Sequence, residues 1–355
     1  MTATEGRRDD EQRPRVALTV GDVAGVGPEL IVRALADPVV RGRIEPIVFG
    51  PVEVLQRAAE LIGAPLDFRP QSERDDGNSA GVSCVDPEED GAANIVPGTV
   101  DPRAGRIAHR ALTGAIDAAL AGDVDAIVTA PLSKLALHRA GFHVPGHTEI
   151  LARACGVPEV AMMLYVPPGP IVAASHGLGI AHVTLHTSVA SVPGLLSREA
   201  IVSTTQLVDT FMREIGCRSP RIGVCALNPH AGEGGLFGSE EQSLIEPAVA
   251  LARGANGIDA HGPFPADTLI ARAVSGEFDG VVAMYHDQGH IAVKLIAFHS
   301  AVNVTLGLPI VRTSPAQGTA FDIAWRGVAK PEGMIAAIQV ATRLASGRNA
   351  DLSGR

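Results

Sequence analysis

VALTVGDVAGVGPELIVRALA, residues 16–36, is the stretch that decides the fold class. Val16–Val20 is an apolar run that stops at Gly21, as a buried strand does. Pro28 then stands where a helix begins, with Glu29 in its first turn and apolar residues at helical spacing as far as Ala36. A strand that feeds a helix through a glycine-rich turn is half of a βαβ unit. Outward from it the alternation repeats. Strands are expected at Ile44–Phe49, Gly81–Val85, Ala126–Val128, Ala161–Val166, Ile171–Ala174, Ala181–Leu185, Arg221–Ala226 and Gly280–Met284. Helices are expected at Val54–Ile62, Arg106–Leu120, Lys134–Ala140, Arg198–Ile215, Ser239–Arg253 and Met334–Ala345. Residues 69–104 are charged, Gly- and Pro-rich, and read as irregular surface structure. The fold class is α/β.

Composition narrows the function. The 355 residues are 46% hydrophobic and 19% charged, a globular balance with room for two domains. A net charge of −10 gives no field that would recruit nucleic acid or an anionic membrane, and 3% aromatics are too few for base-stacking platforms. Cys84, Cys155, Cys217 and Cys225 are far apart, without C-x-x-C, which argues against disulfides or a thiolate zinc knuckle and suits a cytoplasmic location. Residues 1–14 carry mixed charge and no apolar core, so they read as a disordered tail rather than a signal peptide, and no apolar stretch suggests a membrane span.

Several constellations have the chemistry of a site. Gly25 and Gly27 make G-x-G, but Leu30 stands where a dinucleotide fingerprint needs its third glycine. The loop therefore reads as a tight turn or as backbone approaching a ligand. His182 and His186, four apart in a strand-like segment, would share a face. His230 and His286 each follow a strand, and residues ending separate parallel strands can converge. Three imidazoles with an open position suit a zinc-like Lewis acid; singly, each suits a hydrogen-bonded loop. Asp267 is placed as a helix N-cap, Asp287 adjoins His286, and Lys294 and Arg312 are cations suited to an anion or to solvent. His147-Thr148-Glu149 reads as either a capping motif or a ligand-facing loop.

In their fixed order, GDVAGVGPE (21–29), TAPLSK (129–134), PGHTEILA (145–152), LNPHAGEGG (227–235), GPFPADT (262–268), YHDQGH (285–290) and VNVTLGLPIVRTS (302–314) resemble the 4-hydroxythreonine-4-phosphate dehydrogenase family. The resemblance implies a fold like that of isocitrate and isopropylmalate dehydrogenases, not a Rossmann fold: two α/β/α layered domains around a cleft. It places residues 15–145 plus 305–348 in one domain and 146–304 in a central one carrying most of the metal site and the contacts of a homodimer with shared active sites. It assigns the metal to His186, His230 and His286, and substrate contacts to His147, Thr148, Lys294, Asn303 and Arg312. It leaves His182 and His290 as supporting residues, and Asp267 and Asp287 occupy family acidic positions that join Lys294 as catalytic candidates. Gly25, Gly27, Gly318 and Asp322 are the candidates for contacting the coenzyme.

The activity so implied is NAD-linked oxidation, with NADP an alternative, of a phosphorylated hydroxy acid, followed by loss of CO2. It uses one divalent ion (Zn, Co or Mg, with Zn suited to imidazoles). His182-Val-Thr-Leu-His186, Leu236-Phe237-Gly238 and Phe321-Asp-Ile-Ala-Trp325 are more similar to the branch acting on 4-phospho-D-threonate or 4-phospho-D-erythronate and yielding dihydroxyacetone phosphate. The pyridoxal phosphate branch is the alternative. Behind it stand a cyclic diol carboxylate dehydrogenase and a metabolite-binding protein without turnover. Thr187-Ser188-Val189-Ala190 and Ala316-Gln317 depart from the common family pattern, the second in the segment expected to meet the nucleotide.

Overall fold

The computed structural model describes residues 13–73, 81–144, 146–158 and 160–353. The expected disordered tail, residues 1–14, lies almost wholly outside the described residues. The strands are β1 (Arg15–Thr19), β2 (Glu45–Phe49), β3 (Phe68–Pro70), β4 (Val82–Val85), β5 (Ala126–Thr129) and β6 (Ala161–Val166), followed by β7 (Leu178–His182), β8 (Arg221–Cys225), β9 (Asp259–Phe264), β10 (Gly280–Ala283), β11 (Val302–Leu306) and β12 (Arg312–Pro315). They form one mixed sheet in the order β3-β4-β2-β1-β5-β12-β11-β6-β7-β10-β8-β9. Pairing is parallel from β3 through β12 and again from β7 through β9. The middle of the sheet, β12-β11-β6-β7, is antiparallel.

Burial explains the parallel wings. In β1 every residue after Arg15 is buried, and β5 and β10 are buried throughout, as strands covered on both faces must be. Helix Gly27–Ala36 buries Leu30, Ile31 and Leu35 in the same core as Val16 and Leu18 of β1. Its approach depends on Gly27, where a Cβ would lie 2.2 Å from the Val20 carbonyl oxygen. Helix Pro102–Ala121 starts on Asp101, whose side chain accepts from the Arg103 N–H at 2.8 Å. On the other wing a second core gathers Leu178, Ile180 and Val281 with Leu269 and Val293 from two helices.

Some elements differ from expectation. Residues 171–174 are not a strand; the Ala173 N–H instead donates to the Val274 carbonyl. The strand expected at Ala181–Leu185 is β7, which ends at His182, so His182 and His186 do not share a strand face. Pro265, not Asp267, is the N-cap of helix Ala266–Val274, and Asp267 accepts from the Thr268 N–H within the first turn. The helix expected from Ser239 opens as a π-helical turn, Glu241–Ile245, before Glu246–Asn256. Strands β3, β9, β11 and β12 went unforeseen.

Candidate active site

A cavity of about 610 Å³ opens where β5, β11 and β12 meet the start of helix His286–Ala297. His147, Thr148, His186, His286, Lys294, Asn303, Arg312 and Gly318 all line it. The sequence therefore brings eight of its candidates to one place. The others stand elsewhere. Gly25 and Gly27 are buried, their missing Cβ atoms replaced by the Thr319 and Val20 carbonyl oxygens, so both glycines allow close packing and do not face the cavity. Asp267 and Asp322 are exposed away from the cavity lining, and Asp287 is exposed beside His286.

Arg312 is the centre of the polar wall. It is 2% exposed, yet no carboxylate pairs with it. One terminal nitrogen donates to Thr305 Oγ1 at 3.0 Å, the other to Thr129 Oγ1 at 2.6 Å, and buried Nε has no protein partner. Burial pushes its guanidinium down from 12.5 to about 10. The side-chain oxygen of Asn303, also buried, has no partner either. A buried cation left without a counter-ion is costly unless an anion completes it. Lys134 and Lys294 also line the cavity, against one carboxylate, Glu149. A chain of net charge −10 thus concentrates three cations around one opening. Sequence reasoning missed Lys134, Thr129 and Thr305, although Lys134 lies in the TAPLSK stretch and opens the helix that Ser133 caps.

Burial holds His147, His182, His186 and His290 below the usual imidazole value. Burial first, then Arg312 and Lys134, push the His147 imidazole well below its usual value. His186 is lowered by burial, Lys134 and His286. His286 and His186 lie 6.0 Å apart, centroid to centroid, and His286 stacks on His290 at 3.7 Å. His290 Nδ1 lies 3.2 Å from His182 Nε2. Burial pushes His182 down to about 3 and His290 to about 4, in each case reinforced by a neighbouring histidine. Asp287 Oδ1 meets His286 Nδ1 at 2.7 Å, the arrangement that leaves Nε2 free to bind a metal. Neutral imidazole is the ligand form.

His230 behaves differently. It is exposed, lies near Phe237 (6.3 Å between centroids), and does not line the cavity. It opens a run with positive φ, His230 at 53°, Ala231 at 52° and Glu233 at 43°, beside the two glycines Gly232 and Gly234. Among the described residues no three His, Cys, Asp or Glu side chains come close enough to hold a metal. Of the expected triad, His186 and His286 lie near each other and His230 stands apart from them within one chain.

Residues 43–341 match the family described as pyridoxal phosphate biosynthetic protein PdxA. The chain belongs to the PdxA family. It is 43% identical over 334 residues to the D-threonate 4-phosphate dehydrogenase of Pectobacterium atrosepticum, covering 93% of this chain and 99% of that protein. It is 42% identical over 342 residues to the 4-hydroxythreonine-4-phosphate dehydrogenase of Trichlorobacter lovleyi, covering 95% and 99%. The crystal structure of 4-hydroxythreonine-4-phosphate dehydrogenase from Klebsiella pneumoniae superposes with a TM-score of 0.81 at 40% identity, over 94% of this chain and 99% of that one. This PdxA member is an oxidoreductase acting on a CH–OH group. No helix among its described residues is long and apolar enough to cross a membrane.

Proposed function

We propose that the chain oxidises 4-phospho-D-threonate or 4-phospho-D-erythronate with NAD, and that the product decarboxylates to dihydroxyacetone phosphate. The observation that carries this reading is Arg312: a buried, unpaired guanidinium with a free Nε, at the wall of a cavity holding two further cations. A phosphate completes it, and a carboxylate at the other end of a four-carbon acid accounts for Lys134 and Lys294. His147, Thr148 and Asn303 add donors at the same wall. Holding both charged ends supplies binding energy remote from the reacting carbon and fixes its orientation.

The secondary alcohol β to the carboxylate loses its hydride to C4 of the nicotinamide and its hydroxyl proton to a base. The β-keto acid then breaks its C1–C2 bond, releasing CO2, and the resulting enolate takes a proton at carbon. Lys294, at the rim, is placed to exchange these protons, with Asp267 and Asp287 as the weaker candidates. Lewis-acid polarisation of the substrate oxygen is the chemistry that a divalent ion, zinc by the nature of its donors, supplies beside His186 and His286.

The third imidazole is His230 of the partner subunit in a homodimer. The surface next to the site supports this pairing: Ile291 and Leu295 on the helix that carries His286, and Phe298 at its C-cap, are 55%, 81% and 61% exposed. An apolar stripe of this kind on an acidic protein calls for a partner. The Gly318 backbone supports the coenzyme, because a Cβ there would meet nothing within 4 Å and the residue lines the cavity. On the same reading 15–145 plus 305–348 and 146–304 are the two α/β/α units, joined through β11 and β12 as in isocitrate dehydrogenase-like folds, and the enzyme works in the cytoplasm.

The pyridoxal phosphate substrate, 4-phosphohydroxy-L-threonine, is the second reading, favoured by the relatives named for it. The test of the first is stoichiometry. Metal-loaded protein given 4-phospho-D-threonate and NAD should release NADH, CO2 and dihydroxyacetone phosphate in equal amounts, and both His286→Ala and His230→Ala should abolish all three. NADH without CO2 would remove the decarboxylation.

A further inference from the structure

The cavity wall formed by Ala316, Gln317, Gly318 and Ala320 runs on into a loop that returns to the protein at Trp325–Gly327. Glu29, fully buried on helix Gly27–Ala36, holds that return. One carboxylate oxygen accepts from the Trp325 N–H at 2.7 Å and the other from the Gly327 N–H at 2.6 Å. Arg33, one turn along, donates to the Gly327 carbonyl. The Trp325 indole N–H donates to the Val23 carbonyl at 2.8 Å, and the Arg57 guanidinium lies over its ring at 4.4 Å. At the near end the Val26 N–H donates to the Thr319 carbonyl at 3.0 Å, where Gly25 leaves room for the contact.

The loop is also strained. Ala320 at φ 44° and Trp325 at φ 58° occupy the left-handed region without being glycine. Such backbone persists only where the surroundings over-determine it. Here the over-determination comes from a buried carboxylate and an indole, both spent on backbone groups and neither facing the cavity.

We infer that Glu29 and Trp325 are positioning residues: they clasp the 316–327 segment to the glycine-rich turn, so that coenzyme affinity depends on a carboxylate that never touches the coenzyme. This rests on the reading that Gly318 faces the nucleotide. It gives the GDVAGVGPE motif a role in this chain, in which Gly25 and Glu29 shape a neighbouring loop instead of contacting phosphate themselves. Substrate-side residues hang on other elements: Arg312 on β12, Asn303 on β11 and His147 on its own helix. Disturbing the clasp therefore separates coenzyme binding from anion binding.

The test measures, by calorimetry on the full chain, the dissociation constants of NAD and of inorganic phosphate for the parent, Glu29→Ala, Glu29→Gln and Trp325→Phe. Glu29→Ala should weaken NAD at least tenfold and leave phosphate within twofold. Glu29→Gln keeps one acceptor oxygen and should recover part of the loss. Trp325→Phe keeps both backbone donors, loses only the indole bond and should weaken NAD a few-fold. Trp325 is the only tryptophan, so its emission should shift to the red in Glu29→Ala if the clasp opens. If Glu29→Ala does not fold, Trp325→Phe decides alone. Unchanged NAD affinity in the variants overturns the inference, and so does parallel loss of NAD and phosphate, which would mark a general structural role. A parent that binds phosphate but not NAD would instead refute the coenzyme reading itself, and the clasp with it.

Discussion

Replacing Arg312 by methionine should separate stability from binding, with opposite signs. Burial pushes the guanidinium from 12.5 to about 10, so below that pH the folded state carries a charge it disfavours by ~3 kcal/mol. Methionine removes that cost throughout the neutral range. Against this, Thr129 and Thr305 each lose a donor, at about 1 kcal/mol apiece. The net change is about 1 kcal/mol in favour of the variant, a rise of a few degrees in Tm at most. Anion binding moves the other way. A guanidinium with a free Nε contributes charge-assisted bonds of roughly 1.5–3 kcal/mol each, so the phosphate Kd should rise about a hundredfold. Thermal unfolding with and without inorganic phosphate reads both effects. Phosphate at a hundred times the parent Kd stabilises the parent by about 2.7 kcal/mol, and the variant should lose nearly all of that gain. The reasoning fails if Arg312→Met melts far below the parent, or if it keeps the full phosphate gain.

Three further predictions follow from single contacts. Asp22 is buried, with one oxygen accepting from the Ala24 N–H and the other without a partner, and burial raises its carboxyl from 3.8 to about 6. Its contribution to stability is therefore fullest below about pH 4 and is lost as pH rises through 6; Asp22→Asn should stabilise by ~2–3 kcal/mol at pH 7.5 and by much less at pH 4.5, measured by urea unfolding at both. Gly27→Ala puts a Cβ 2.2 Å from the Val20 oxygen and should cost about 1–3 kcal/mol in the same assay. Lys134→Met removes an exposed cation at the cavity, so phosphate affinity should fall only a few-fold, and the difference from the parent should shrink as salt is added.

The parts of the fold that the sequence revealed are those where one residue pattern has one physical cause. Val16–Ala36 shows an apolar strand, a glycine turn and a proline helix start because each is a local requirement. β12 was hidden for the opposite reason. Arg-Thr-Ser-Pro reads as polar, yet all four residues are buried, since the strand supplies the cavity wall and Arg312 and Thr313 spend their polar groups on hydroxyls and on the Ala337 carbonyl. β9 carries glycine and proline inside Asp-Ala-His-Gly-Pro-Phe and survives at the sheet edge, where such residues are tolerated.

The site was legible as residue types and only partly as geometry. His147, Lys294, Asn303 and Arg312 line one cavity, whereas the spacing of His182 and His186 suggests a shared strand face that β7 ends too early to provide. His182 is instead the buried end of a stack running through His290 to His286. Gly25 and Gly27 illustrate the same limit. A glycine needed for packing and one needed for a ligand look alike in a sequence, and only the Thr319 and Val20 carbonyls distinguish them.

The most direct test of the central claim follows NADH absorbance with metal-loaded enzyme on 4-phospho-D-threonate, 4-phospho-D-erythronate and 4-phosphohydroxy-L-threonine in parallel. One of the two hydroxy acids should show the highest kcat/KM, with turnover lost in Arg312→Met. A preference for the amino compound would contradict the claim and place the enzyme in pyridoxal phosphate synthesis.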